Sequence, residues 1–357
     1  MRVLVLSEGL DLPEFHMLAE LRARGVELTV MLAPGCEYFK KLADVDIRAL
    51  ALTLKGRLDF SGIRQIRAEL KSGNYDVFHA LRNNRPISNA LWASIGIPVK
   101  KVAYRGTMGN LSRLDPASWL AYLSPRIDTL ICVSEAVRQY LLGMGVPETR
   151  AQTILKGHDV SWYQSDGAPP LGEFGIPDDA FVVGCVANMR RLKGVDYVIR
   201  SAHHLPPDSK IHYLLVGEVR DEDLRVLAED PAVGGRVHFA GYRSDARAIV
   251  SRCDVSVMAS VRREGLPRAI IESMAQSVVP VVTEVGGMPE LVEDGVSGTV
   301  VPPRDDKALA DAFLALERDP ELRARYGAAA RERIETVFSV QRTAEVTQAL
   351  YERLVSE

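Results

Sequence analysis

The chain has 357 residues, 47% of them hydrophobic and 25% charged, which suits a soluble globular protein of about two domains. Its formal charge of −3 excludes a broad electrostatic footprint for nucleic acid, so any anion site must be built locally from a few cations. No run approaches the roughly 18 apolar residues of a membrane span. The opening MRVLVLSEGL lacks the long apolar core and small-residue cleavage site of a signal peptide. Cys36, Cys132, Cys185 and Cys253 are widely spaced, with no CxxC pair, and read as buried free thiols in a reducing compartment rather than as zinc ligands.

From the N-terminus, short β-branched runs alternate with amphipathic helical stretches. Strands are predicted at 3–6, 27–32, 47–52, 76–79, 99–104, 129–133 and 153–155, with helices between most of them, for example 14–24 and 63–71. The segment QSDGAPPLGEFGIPDDA, residues 164–180, holds three prolines and three glycines and reads as a linker. Strand patterns resume at 181–187, 211–216, 237–240, 254–258, 279–282 and 299–301. Continuous apolar runs joined by helical crossovers predict parallel sheets covered on both faces. The fold class is therefore α/β, with two doubly wound Rossmann-like domains facing an inter-domain cleft. The boundaries are 1–165, a linker at 166–180, a second domain at 181–335, and a C-terminal helix at 336–357 that packs back on the first domain. Ligands of such sheets bind beyond the carboxyl ends of the strands, which directs attention to the loops there.

Two constellations stand out in those loops. The first is EGLPRAIIE, residues 264–272. Pro267 suits a first helical position, which leaves Glu264 in the loop and Glu272 on the helix. Carboxylates accept hydrogen bonds from vicinal sugar hydroxyls, and a helix start suits a phosphate. A surface helix with two solvated glutamates fits the same spacing. Downstream, Gly286 and Gly287 follow an apolar strand, and paired glycines let a backbone approach a ligand closely; a plain tight turn is the alternative. The second constellation is Arg190-Arg191-Leu192-Lys193-Gly194, between a strand and a helix start. Cations there would stabilise a departing diphosphate without a metal. A solvated basic turn is the bland alternative.

These residues carry a resemblance. EGLPRAIIESMA, TEVGGMPELVEDGVSG and the Lys193-Gly194 pair make residues 181–305 similar to the donor domain of GT-B glycosyltransferases, specifically the large retaining family 4. Glu264 and Glu272 match its E-x7-E motif. In the first half ICVSEAVRQYL and ILKGHDVSWY resemble the family's segments near the domain junction. The resemblance implies a retaining, metal-independent transfer from a UDP- or GDP-linked sugar, with no cofactor. The sugar implied is a hexose or N-acetylhexosamine, and the acceptor a glycan or lipid in bacterial envelope polysaccharide, lipopolysaccharide or glycolipid synthesis. Arg190 and Lys193 would clamp the phosphates, and Glu272 would accept the ribose hydroxyls. Glu264 would hold the donor sugar, with the Gly286–Gly287 loop touching sugar and phosphate. Gly9 would lie near the phosphates from the first domain, and Arg243 beside the nucleotide base.

Three departures stand against that pattern. Asn188 occupies the usual place of the clamp arginine, leaving Arg190 or Arg191 as the partner. The N-terminal loop reads Ser7-Glu8-Gly9-Leu10 instead of a glycine pair. Arg105 stands where the family often has a histidine, and a guanidinium cannot act as a base near neutral pH; His79 is a substitute candidate, although a structural histidine at a strand end is the plainer reading. The missing histidine keeps open a non-catalytic nucleotide-sugar-binding protein, or partner subunit, and more remotely a GT-B epimerase. A nicotinamide dehydrogenase is disfavoured, because no G-x-G-x-x-G follows the first strand. The expected location is the cytoplasm. Residues 105–126 mix Trp119, Tyr122 and leucines with Arg113 and Arg126; they read either as a helix covering the sheet or as a peripheral contact with the inner face of the plasma membrane.

Overall fold

The computed structural model describes residues 1–164 and 167–357. Ser165 and Asp166, where the first domain was expected to end and the linker to begin, lie outside the described residues. The chain forms two compact units, one of Met1–His158 with Phe338–Glu357 and the other of Asp159–Val337.

In the first unit a seven-stranded parallel sheet runs in the order β3-β2-β1-β4-β5-β6-β7. Its strands are β1 (Arg2–Leu6), β2 (Glu27–Leu32), β3 (Arg48–Ala51), β4 (Val77–Ala80), β5 (Lys100–Arg105), β6 (Thr129–Cys132) and β7 (Ala151–Thr153). The central strands β1, β4 and β6 are buried almost throughout, as apolar runs covered on both faces must be. The first crossover helix, Leu12–Ala23, starts two residues earlier than its apolar periodicity suggests. Asp11 caps it in a reciprocal capping box with Glu14, and a proline lies in its first turn.

The second unit holds a six-stranded parallel sheet in the order β10-β9-β8-β11-β12-β13. These strands are β8 (Phe181–Val186), β9 (Ile211–Val216), β10 (Val237–Gly241), β11 (Val255–Met258), β12 (Val279–Thr283) and β13 (Thr299–Val301). Its core includes Val183, Ile211, Leu215, Val257, Val281 and Phe313. The Tyr213 hydroxyl, buried in that core, meets the Ser201 hydroxyl at 2.9 Å, so a polar atom is carried inside without being orphaned. The Pro/Gly-rich stretch read as a linker carries local structure of its own. Residues Leu171–Phe174 form a 3-10 turn, and Ile176 is buried against Val182, Leu214 and Ile249. Ile176, with Leu171, Phe174 and Ala180 packed beside it, docks the stretch on the sheet.

The C-terminal helix Val340–Ser356 belongs to the first unit and packs on the helix Leu12–Ala23. It enters through a backbone exchange: His158 N–H donates to the Phe338 carbonyl at 2.6 Å, and Val340 N–H to the His158 carbonyl at 3.1 Å. A Cβ on Gly157 would lie 2.4 Å from the Ser339 carbonyl oxygen, so only glycine admits this approach. Of the cysteines, Cys132, Cys185 and Cys253 are buried free thiols and Cys36 is half-buried. Burial pushes the three buried thiols up to about 12.

His79, at the third position of β4, is only 1% exposed. Its Nδ1 lies 2.6 Å from the Tyr351 hydroxyl of the C-terminal helix, while Nε2 has no partner among the described residues. Burial pushes this imidazole down to about 3, from 6.5. It therefore stays neutral in the folded chain while the unfolded chain takes up a proton below about pH 6.5. The folded state consequently loses stability as pH falls from about 6.5 towards 3, by at most ~1.4 kcal/mol per pH unit from this group. In thermal melts between about pH 7 and about pH 4, the gap between wild type and His79→Gln should narrow on acidification. Parallel curves would contradict this assignment.

Candidate active site

The order of the second sheet reverses between β8 and β11, its topological switch point. The loops that leave β8, β11 and β12 carry the basic turn, Glu264 and the glycine pair. The basic turn Arg191–Lys193 is a single 3-10 turn closed by Gly194 in a left-handed conformation, φ 63°. A Cβ on Gly194 would stand 2.0 Å from the Ala259 carbonyl oxygen, and Val261 N–H donates to the Leu192 carbonyl at 3.0 Å. The turn is thereby pressed against the chain leaving β11. Lys193 Nζ then reaches Glu264 Oε2 at 2.7 Å.

Glu264 is fixed from two further sides. The Ser260 hydroxyl donates to its Oε2 at 2.8 Å, and Ser260 is itself held by the Thr283 hydroxyl, which donates to its carbonyl at 2.6 Å. On the main chain, the Gly286–Gly287 turn lies directly against Glu264. A Cβ on Gly286, φ 61°, would come within 1.8 Å of the Glu264 carbonyl oxygen, and Gly287 N–H donates to that oxygen at 3.3 Å. Gly286 thereby lets two loops of the protein touch.

Glu272 sits on the helix Arg268–Met274, whose N-cap is Pro267, one position earlier than a first helical residue. Its carboxylate accepts from Arg268 Nε at 2.7 Å, with the Glu272 side chain 16% exposed. Lys193 and Glu264 are thus brought together, and Glu272 follows on the helix that Glu264's loop feeds. Of the two clamp candidates, Arg191 is tied to Asp221 and Asp223 at 3.0 and 3.2 Å. Arg190 is exposed and its guanidinium has no partner among the described residues. Of the two, Arg190 is the one whose guanidinium is not already engaged. Arg243, expected beside a nucleotide base, is engaged by Asp245 at 2.8 Å and Glu173 at 3.0 Å. That leaves neighbouring Tyr242, 81% exposed, as the open surface of that loop.

In the first unit, Gly9 meets no close neighbour: a Cβ there would find only Cys36 Sγ, at 3.8 Å. Its carbonyl accepts from the Ser7 hydroxyl at 2.6 Å. Arg105, ending β5, is 7% exposed and lines a cleft of about 550 Å3 formed by this unit alone. His79, kept as a substitute base, does not fit that role, because it is sealed in the core and bonded to Tyr351. The segment after Arg105 is only partly helical, Pro116–Trp119. Tyr122 and Leu123 are buried under it, whereas Leu114 and Trp119 are exposed. Ser260 and Arg268, which position the two glutamates, went unread in the sequence, since a serine in an apolar run and an i,i+4 arginine are common everywhere.

The tight glycine contact makes a direct prediction. Gly286→Ala places a methyl group against a main-chain oxygen at a positive φ and should cost about 2–3 kcal/mol of stability. Gly9→Ala should stay within roughly 0.5 kcal/mol of wild type. Thermal melts compare them directly, and equal melting points for the two variants would contradict the packing described.

Comparison with known proteins agrees with this layout. The model for "Glycosyl transferases group 1" matches residues 172–333 and that for "Glycosyltransferase Family 4" residues 15–162, so the two together cover most of the chain. The lipopolysaccharide core biosynthesis glycosyltransferase LpsE of Rhizobium meliloti (strain 1021) is 28% identical over 348 residues, covering 96% of this chain and 94% of that protein. The lipopolysaccharide core biosynthesis mannosyltransferase LpcC of Rhizobium leguminosarum bv. viciae is 26% identical over 290 residues, 79% of each chain. Among solved structures, a glycosyltransferase from Rickettsia africae ESF-5 superposes with a TM-score of 0.82 at 17% identity over 99% of this chain and 98% of that one. Anabaena Alr3699/HepE in complex with UDP superposes at 0.77 and 20% identity, over 99% and 100%. With its two parallel α/β units and the loop cluster at the β8/β11 switch point, the chain belongs to the group 1/family 4 glycosyltransferases of the GT-B fold and is a bacterial glycosyltransferase.

Proposed function

We propose that the enzyme transfers a hexose or N-acetylhexosamine, with retention and without a metal, from a UDP- or GDP-linked donor to a glycan or lipid-linked acceptor of the bacterial envelope. The observation that carries this reading is the Lys193–Glu264 pair, 2.7 Å apart and built on two glycine contacts at the switch point of the second sheet. The names of LpsE and LpcC support the acceptor class, and the UDP complex of HepE supports a nucleotide-linked donor.

The chemistry follows from what these groups do best. Arg190 and Lys193 take the donor diphosphate, Arg190 as a two-pronged donor and Lys193 as a point charge. Glu264 and Glu272 accept from sugar and ribose hydroxyls, and Arg268 and Ser260 hold the two carboxylates in place. The bond between the anomeric carbon and the diphosphate oxygen breaks, and the acceptor oxygen bonds to that carbon on the same face. The acceptor's proton passes to the departing phosphate oxygen, so no side-chain base is required and an arginine at position 105 is compatible with turnover. Pre-placed cations lower the barrier by stabilising the negative charge that develops on the leaving group.

No helix of the described residues is long and apolar enough to cross a membrane. A cytoplasmic enzyme resting on the inner membrane surface through exposed Leu114 and Trp119, beside Arg113, fits a lipid-linked acceptor. Co-sedimentation with anionic vesicles is the expected result, and its absence would remove this part of the reading. For the central part, Lys193→Ala should slow donor turnover about a hundredfold or more, while activity should persist in EDTA. Near-normal turnover in that variant, or a loss in EDTA restored by manganese, would overturn the corresponding assignment.

A further inference from the structure

This inference rests on the transfer reading above and concerns the acceptor. The first sheet reverses its order between β1 and β4, and the cleft of about 550 Å3 lies at that reversal. Glu8 follows β1, Arg82 and Arg85 follow β4, Arg105 ends β5, and Arg57 joins them on the wall. Four cations thus face one acid. Two of the cations are already neutralised, since Arg82 pairs with Asp11 and Glu14 and Arg85 pairs with Glu8 at 3.0 Å. Arg57 and Arg105 have no carboxylate partner among the described residues.

Arg105 is the more telling of the two. Its Nε donates to the Thr107 carbonyl at 2.8 Å and its Nη2 to the Gly109 carbonyl at 2.5 Å. Its Cζ stands 4.4 Å from the centre of the Tyr122 ring. These contacts aim the guanidinium and engage Nε and Nη2, but no negative charge balances it. A buried charge without a counter-charge is costly unless a ligand supplies one. The chain at the rim is also strained: Arg82 and Asn83 both hold positive φ, 51° and 52°, which non-glycine residues adopt at a cost. This bend brings Asn84 and Arg85, at the start of the helix Asn84–Ala93, to the wall of the cleft. That helix has no side-chain cap.

We propose that the acceptor carries an anionic group, a phosphate monoester or a sugar-acid carboxylate, which seats against Arg105 and Arg57 in this cleft. Guanidinium groups favour such oxyanions because two N–H donors meet two oxygens. The first unit then selects the acceptor by its charge.

The test uses the full chain and calorimetric titration with glucose 6-phosphate, glucuronate and neutral glucose, and with UDP and GDP for the donor site. One or both charged sugars should bind while glucose does not, and whichever charged sugar binds identifies the anion. Arg57→Ala, at an exposed position, should weaken that binding about tenfold, and Arg105→Gln should abolish it. Binding should survive Lys193→Ala, and nucleotide affinity should be unchanged in both arginine variants. If Arg105→Gln lowers the melting point, Arg57→Ala alone decides. Failure of both charged sugars to bind, glucose binding as well as the charged sugars, or indifference of charged-sugar binding to Arg57→Ala, would overturn the proposal. So would nucleotide binding that depends on Arg57 or Arg105, since the cleft would then serve the donor diphosphate. Failure of UDP and GDP to bind the wild type would instead overturn the donor reading and leave the charged-sugar result standing.

Discussion

The second unit's chemistry depends on one contact, the ammonium of Lys193 against the carboxylate of Glu264. Neither residue would reach the other without two main-chain approaches that only glycine permits, Gly194 against Ala259 and Gly286 against Glu264. On the proposed function the pair would also act as the switch of the site. While no ligand is bound, each charge satisfies the other. In the transfer proposed above, a diphosphate offers Lys193 a stronger partner and the sugar hydroxyls offer Glu264 donors in exchange, so that binding would replace one internal contact by two to the ligand. A half-buried pair of this kind adds little to stability by itself, and its value lies in holding two groups aligned before the ligand arrives.

The same architectural rule governs both units. Each is an open parallel sheet whose strand order reverses once, and in each the chemistry-bearing side chains cluster on the loops beside that reversal. The clusters differ in charge logic. In the second unit a carboxylate neutralises the lysine and a free Arg190 stands by. In the first unit Arg105 is buried with carbonyls and an aromatic face for company and no acid. Enzymes of this fold have to hold two different substrates, and two switch points with different charge balance are a direct way to distinguish them.

The fold was legible wherever the signal is local. Apolar runs such as VLVL, LTVML and FVVGCV mark buried strands because they are short and rich in β-branched residues. What escaped was long-range. His79 looks like a strand-end histidine until Tyr351, 272 positions away, is seen to bond it. The stretch after residue 166 reads only as a linker because its prolines and glycines mask the few apolar residues that dock on the second sheet. In the site, Glu264, Glu272 and Lys193 were visible through their motif spacing. Ser260 and Arg268 were not, because a residue that orients another has no sequence signature of its own. Arg243 was read as a ligand contact, yet Asp245, only two positions on, already occupies it.

In the proposed transfer, Lys193 passes from Glu264 to the donor's diphosphate. Calorimetric affinities for UDP and for GDP in wild type, Lys193→Ala, Glu264→Gln and the double variant test it most directly. Whichever nucleotide binds should do so as tightly or more tightly in Glu264→Gln, which frees the lysine, and more weakly in Lys193→Ala whether or not Glu264 is present. Nucleotide affinity indifferent to Lys193 in both backgrounds would contradict the claim.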